Sequence, residues 1–187
     1  KLSEFEEECG TFKRKYGDFK RFKRKVEGGE KENFGEWDDY LAWRFAEEAR
    51  EFWRQEVEQL EALAIGVWIS EMLPSILKHR KFIKNYEVKR FRVAGDSSEI
   101  VIAVEFVDGS MLYARDYAFG KERKYSYHWQ KGDELLIRWD NAPNWKQLQT
   151  YPHHKHISSE KNIQESKEHN LDAIMNFIVK KLGKRTH

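Results

Sequence analysis

Apolar positions recur at three- and four-residue steps through the first third of the chain, and further on the period changes to two. Phe12, Tyr16, Phe19, Phe22 and Val26 fall on one helical face with Lys and Arg between them. The EGGE stretch at Glu27–Glu30 ends that run, since glycine terminates helices well. From about Asp38 a broader stripe follows, built from Tyr40, Leu41, Trp43, Phe45, Ala46, Ala49, Phe52, Trp53, Val57, Leu60 and Leu63. The helical pattern continues from Leu63 to Lys84, with Pro74 as a kink or restart. Then YEVKRFRV alternates, EIVIAVEFV is β-branched and apolar, and Asp108–Gly109 is a strong hairpin signal. SMLYARDYAF, KYSYHWQ and ELLIRWD complete a run of five antiparallel strands. After a Pro/His loop and a polar stretch, LDAIMNFIVKKLG places Leu171, Ile174, Met175, Phe177, Ile178 and Leu182 on one face, with Asn170 as N-cap and Gly183 just past the end. The pattern predicts an α+β fold: a helical N-terminal region, a five-stranded antiparallel meander sheet and a C-terminal amphipathic helix, the helices covering the sheet.

Side-chain alternation in the last hairpin sorts its residues onto two faces. Tyr125, Tyr127 and Trp129 point one way, and Lys124, Ser126, His128 and Gln130 the other. Leu135, Ile137 and Trp139 share a face opposite to Leu136, Arg138 and Asp140. A three-residue turn at Lys131–Asp133 matches the apolar rows, pairing Trp129 with Leu135, Tyr127 with Ile137 and Tyr125 with Trp139, and setting Ser126 opposite Arg138. Lys124, His128, Arg138 and Asp140 then collect on one polar face. The segment TYPHHKH returns towards it with His153, His154 and His156; in an extended chain His154 and His156 face one way, His153 and Lys155 the other.

Charge adds an asymmetry. The formal net charge is +2, but residues 1–60 hold 13 Lys/Arg against 16 Asp/Glu, while residues 61–187 are basic and carry all seven histidines. A basic, His-bearing domain tolerates a polyanion such as RNA. The single cysteine, Cys9, excludes an internal disulfide framework and a Cys-based zinc site. No apolar run reaches membrane-spanning length and no start reads as a signal peptide, which predicts a cytoplasmic protein without a membrane partner. Charged residues at 35% resemble a thermophile surface.

Three chemistries fit the polar face. His128, Arg138, Asp140 and a loop histidine such as His154 suit metal-independent acid–base cleavage of a phosphodiester, the imidazoles moving protons and the cation stabilising charge on phosphate. His128, Asp140 and His154 are alternatively ligands for a divalent ion, although no HExxH-type spacing is present. In the third, Asp140 and Asn141 cap the turn before Pro143, and the histidines bond loop carbonyls in a rigid protein- or nucleic-acid-binding module. The residues call for no cofactor and no defined metal set.

Five motifs, YEVKRFRV, VEFVDGSMLYARDY, KYSYHWQ, LLIRWDNAP and TYPHHKH, together resemble the TumE-type toxin family of prokaryotic toxin–antitoxin systems over about residues 63–182. The resemblance implies a growth-inhibiting toxin. The polar residues matching the family motifs are Arg115, Tyr125, Tyr127, His128, Arg138, Asp140, Asn141, His153, His154 and His156. With Lys124 and Lys155, they make Arg115, Lys124, Tyr127, Asn141, His153, Lys155 and His156 the candidate substrate-binding residues beside the candidate catalytic set. Two departures stand out: Asp116 where the family usually has Glu, and Asn144–Trp145 where it usually has a His pair. The N-terminal KRKYGDFKRFKRKVEGGEKENFGEWDDYLAW is similar to the short acidic helical antitoxins that accompany such toxins.

The chain thus divides into residues 1–60, a helical, acidic, antitoxin-like or dimerisation region, and residues 63–187, a TumE-like α+β domain. The aromatic stripe of residues 38–63 must dock on apolar surface. Docking in cis gives an inhibited monomer; docking on a second copy, the favoured expectation, gives a homodimer.

Overall fold

A computed structural model describes residues 2–28, 33–55 and 72–184. Helices α1 (Leu2–Tyr16), α2 (Phe19–Gly28) and α3 (Phe34–Gln55) come first. What sequence periodicity reads as one helix through Val26 is broken at Gly17, which takes φ +82°. Asp18 then accepts the backbone N–H of Arg21 at 2.9 Å and restarts the chain as α2. Residues 72–78 are helical; the expected pattern across 56–71 lies outside the described residues.

The sheet is a meander in which β1 (Ile83–Ala94), β2 (Ser97–Phe106), β3 (Met111–Phe119), β4 (Glu122–Lys131), β5 (Glu134–Asp140), β6 (His154–Ile157) and β7 (Ile163–Glu165) lie in chain order. The five expected strands are present, but the sheet has seven. The two extra strands come from the Pro/His loop and the polar stretch after it, which pair antiparallel beyond β5. They are three or four residues long and mostly polar, His154 and His156 lying on the polar face, so hydrophobic alternation could not announce them. Asp108–Gly109 makes the β2–β3 turn, with Gly109 at φ +79°.

The β4–β5 register corrects the expected one. The turn leaves only Gly132–Asp133 unpaired, with Lys131 opposite Glu134 and Gln130 opposite Leu135. A bulge then absorbs Leu136, so that Trp129 faces Ile137, His128 faces Arg138, Tyr127 faces Trp139 and Ser126 faces Asp140. Glycine at φ +57° supports the tight turn, and the bulge restores the match of apolar rows that a three-residue turn was invoked to provide.

One face of the sheet carries Ile100, Ile102, Val104, Phe106, Leu112, Tyr125, Tyr127, Trp129 and Trp139 against α4 (Leu171–Gly183), whose Ile174, Met175 and Ile178 are fully buried. Asn170 caps α4 by accepting the Ala173 N–H at 2.9 Å, so Asn170→Ala is expected to lower stability by about 1 kcal/mol in denaturant unfolding. The other face receives α3, with α1 and α2 packed over it. Phe5, Cys9, Phe22, Tyr40, Leu41, Trp43 and Phe45 form a second core that reaches Ala94, Tyr117 and Phe119 on the sheet. Tyr40, Trp43 and Phe45 are therefore buried within their own chain, which removes the exposed-stripe argument for a homodimer. Phe52 and Trp53 are half-buried, and Val57 lies outside the described residues.

Candidate functional site

Where α3 begins, it meets the polar rows of the sheet. Because β4 pairs His128 with Arg138, and β6 pairs His156 with Arg138 and His154 with Asp140, these side chains stand in adjacent columns on one face. Arg115 joins from β3 opposite Ser126. Arg138, Asp140, His154 and His156 are fully buried.

The guanidinium of Arg138 is held from two sides. Its Nε donates to Asp140 Oδ2 at 3.0 Å. Its Nη2 and Nη1 donate to the two carboxylate oxygens of Asp38, on the first turns of α3, at 3.0 and 3.3 Å. Asp38 also accepts from Ser126 Oγ at 2.7 Å and lies 3.2 Å from Arg115 Nη1. Phe34, at the start of α3, lies 4.2 Å over the Arg138 guanidinium and packs edge-on against His156 and His128, with centroids 4.8 and 6.3 Å apart. One helix end thus places a carboxylate and an aromatic ring over the centre of the polar face. A second anchor joins α1 to the sheet through Glu8, Arg92 and the buried Glu99, which also accepts from Tyr117 Oη at 3.0 Å.

The histidines differ in environment. His154 Nδ1 is 3.0 Å from the Pro152 carbonyl and its Nε2 is 3.1 Å from Asp140 Oδ1. His156 Nδ1 is 2.8 Å from the Glu160 carbonyl. Burial pushes the His128 pKa down to about 4, with Arg138 adding to the effect, so the ring is neutral at pH 7. Asp38 has its pKa lowered: burial opposes ionisation, but Arg138 and Arg115 together outweigh it.

These two shifts fix a pH response. Both groups bind protons less readily folded than unfolded, so the unfolded chain takes up more protons on acidification. The His128 contribution is lost as pH falls from about 6.5 towards about 4. The Asp38 contribution is present above the ordinary carboxylate range and is lost below it. Stability, followed by urea unfolding between pH 7 and 4, is expected to fall, and His128→Gln is expected to flatten the part of the curve between about pH 6.5 and 4.

Of the other sequence-predicted residues, Lys124 flanks the cluster, 3.1 Å from Glu122 and 5.8 Å over the Trp37 ring. Tyr127, His153 and Lys155 belong to the opposite face. Tyr127 bonds Asp116 and Arg123, His153 Nδ1 lies 2.9 Å from Tyr125 Oη, and Lys155 reaches Glu168 at 3.1 Å beside Phe177 of α4. Asn141 ties strand backbone, accepting from Tyr125 N and donating to the Arg123 carbonyl. Trp145 stands against His154, centroids 6.4 Å apart. Sequence reasoning missed Asp38 and Phe34. The signal was the acidic EWDDY start of α3, visible as a helix N-terminus but not as a partner for an arginine 100 residues away.

Chemically, the face offers two arginines able to hold an anionic oxygen pair, one neutral imidazole, and a buried carboxylate with two more imidazoles. No curated protein and no solved structure matches the chain. Among the described residues, no helix is long and apolar enough to cross a membrane. The family description "Toxin TumE" matches residues 73–182, which span the helical turn before β1, the whole sheet with its polar cluster, and α4 to Leu182, and the chain therefore belongs to the TumE toxin family of toxin–antitoxin systems.

Proposed function

We propose that this toxin cleaves RNA at the Arg138 cluster and that its own N-terminal helices hold the cluster shut. The observation that carries the reading is Asp38. A carboxylate bound through both oxygens to a guanidinium stands where a phosphate with the same fork would bind. Arg138 and Arg115 then hold the phosphodiester, neutral His128 takes a proton from the attacking hydroxyl, and a water held by the Asp140–His154–His156 group gives a proton to the leaving oxygen. Residues 1–60 act as an antitoxin-like segment in cis, the acidic region covering the basic one.

A binding module without catalysis is the competing reading, and one experiment separates the two. Full-length chain, residues 63–187 alone, and residues 63–187 with residues 1–60 supplied in trans are expressed, and growth and total RNA are followed. The proposal expects the fragment to slow growth and degrade RNA, the full chain to do neither, and the N-terminal region in trans to restore growth. Growth inhibition with intact RNA supports the binding module; a fragment with no effect on growth rejects the toxin site.

A further inference from the structure

We infer that Asp140, His154 and His156 form a binding site for a divalent transition-metal ion of the zinc class. The inference stands on the geometry of these three residues and holds whether or not RNA is the substrate.

The β5–β6 ladder brings them together. Asp140 faces His154 directly, and His156, two residues on, points to the same side. One ligand atom from each lies within 4.8 Å of the others, and among the described residues this is the one such grouping of His, Cys, Asp or Glu. All three residues are fully buried, so water competes little for the donor atoms.

The hydrogen bonds fix which ring atoms carry the protons. Carbonyl oxygens only accept, so Nδ1 of His154, at 3.0 Å from Pro152 O, and Nδ1 of His156, at 2.8 Å from Glu160 O, each carry the proton. In the neutral ring Nε2 then bears the lone pair. A backbone carbonyl that orients the far nitrogen is the usual outer shell of a metal-bound histidine. Asp140 is oriented in the same way: Oδ2 accepts from Arg138 Nε at 3.0 Å, which turns Oδ1 to His154.

His154 Nε2 and Asp140 Oδ1 are 3.1 Å apart. Asp140 Oδ1 also accepts the Ala142 N–H at 3.1 Å and Arg138 stands on Oδ2; a cation shared by Oδ1 and His154 Nε2 suits two lone-pair atoms at that distance. A proton on His154 accounts for this pair alone; an ion accounts for all three side chains. Ligand atoms about 2.1 Å from a common ion stand about 3.0 Å apart at right angles and about 3.4 Å apart at the tetrahedral angle, which brackets the 3.1 Å between His154 Nε2 and Asp140 Oδ1; the set of three lies within 4.8 Å. Two imidazoles and one carboxylate suit zinc, cobalt, iron or manganese better than calcium or magnesium. The set differs from the one first read in the sequence: His156 comes within ligand distance of Asp140 and His154 and takes the place of His128, which lies on β4 across Arg138 from it.

The test uses the purified full-length chain, unfolded with chelator and refolded with Co²⁺ or Zn²⁺ in slight excess. Expected are about one ion per chain after desalting, a visible Co²⁺ spectrum distinct from the aqua ion, a higher Tm than the chelated protein, and X-ray absorption of the zinc form showing imidazole scattering. His156→Gln and Asp140→Asn are expected to weaken binding at least about tenfold, while His153→Gln, on the opposite face, leaves it unchanged. If either variant fails to fold, the absorption spectrum of the wild-type zinc form decides. An aqua-like cobalt spectrum, a zinc shell of oxygens alone, or undiminished affinity in folded His156→Gln overturns the site.

Discussion

Asp38→Ala in the full-length chain is expected to lower its stability by about 3–5 kcal/mol and to turn a growth-neutral protein into a growth inhibitor. The first effect follows from burial. Arg138 is 1% exposed, and its two terminal nitrogens donate to the two oxygens of Asp38 while Nε donates to Asp140. Removing one partner of this pair leaves a buried guanidinium without these acceptors of its two terminal nitrogens, which costs more than an exposed pair contributes. Arg115 and Ser126 lose the same carboxylate. The second effect follows from position. Asp38 and Phe34 enter from the start of α3 over Arg138, His128 and His156, so loosening that end opens the polar face while the aromatic core of α1–α3 remains. Denaturant unfolding reads the first effect and growth on induction reads the second. A destabilised, folded Asp38→Ala protein that leaves growth unaffected rejects inhibition in cis.

The toxin-like fold was largely legible because apolar alternation and turn chemistry agree along β1–β5 and helical periodicity is clean in α4. Legibility stopped where side-chain pattern stopped carrying burial. β6 and β7 consist of HKHI and IQE; they are short and mostly polar, so no hydrophobic period marks them. The β4–β5 hairpin shows a subtler limit. The matching of Tyr127 and Trp129 with the rows of β5 was correctly demanded by hydrophobicity, but a longer turn and a tight turn with a bulge satisfy that demand equally. They differ in what faces Arg138: Ser126 in one register, His128 in the other. The polar face itself was readable by parity, which placed His128, Arg138 and Asp140 together and sent His154 and His156 to one side. Asp38 was not readable, since a helix-start acid looks the same whether it caps its own helix or crosses to an arginine in the sheet. The aromatic stripe of α3 demanded a partner surface without saying whose; α1, α2 and the strand ends supply it in cis.

The largest expected effect on activity comes from Arg138, and the variant that exposes it must remove two charges at once. Arg138→Ala in the wild-type background leaves the half-buried Asp38 with only Arg115 and Ser126 of the partners described above, so lost activity there would be confounded with lost stability. In Asp38→Ala/Arg138→Met both members of the pair are gone, and the methionine fills the space under Phe34 with an apolar chain; replacing a buried ion pair in this way is often neutral for stability. Asp38→Ala alone is expected to inhibit growth and cleave RNA, and the double variant is expected to remain folded while cleaving about 10²–10³-fold more slowly, the range seen when one preorganised donor to a developing anion is removed. Arg138→Lys in the Asp38→Ala background is expected to recover little, because a lysine presents a point charge where the site offers a planar fork between two histidine-bearing strands. The measurement is cleavage of a labelled RNA by purified protein, with thermal unfolding as the control for fold. Cleavage by the double variant at the rate of Asp38→Ala would mean that the guanidinium holds no phosphate, and that the bidentate grip on Asp38 serves only to seat α3 on the sheet.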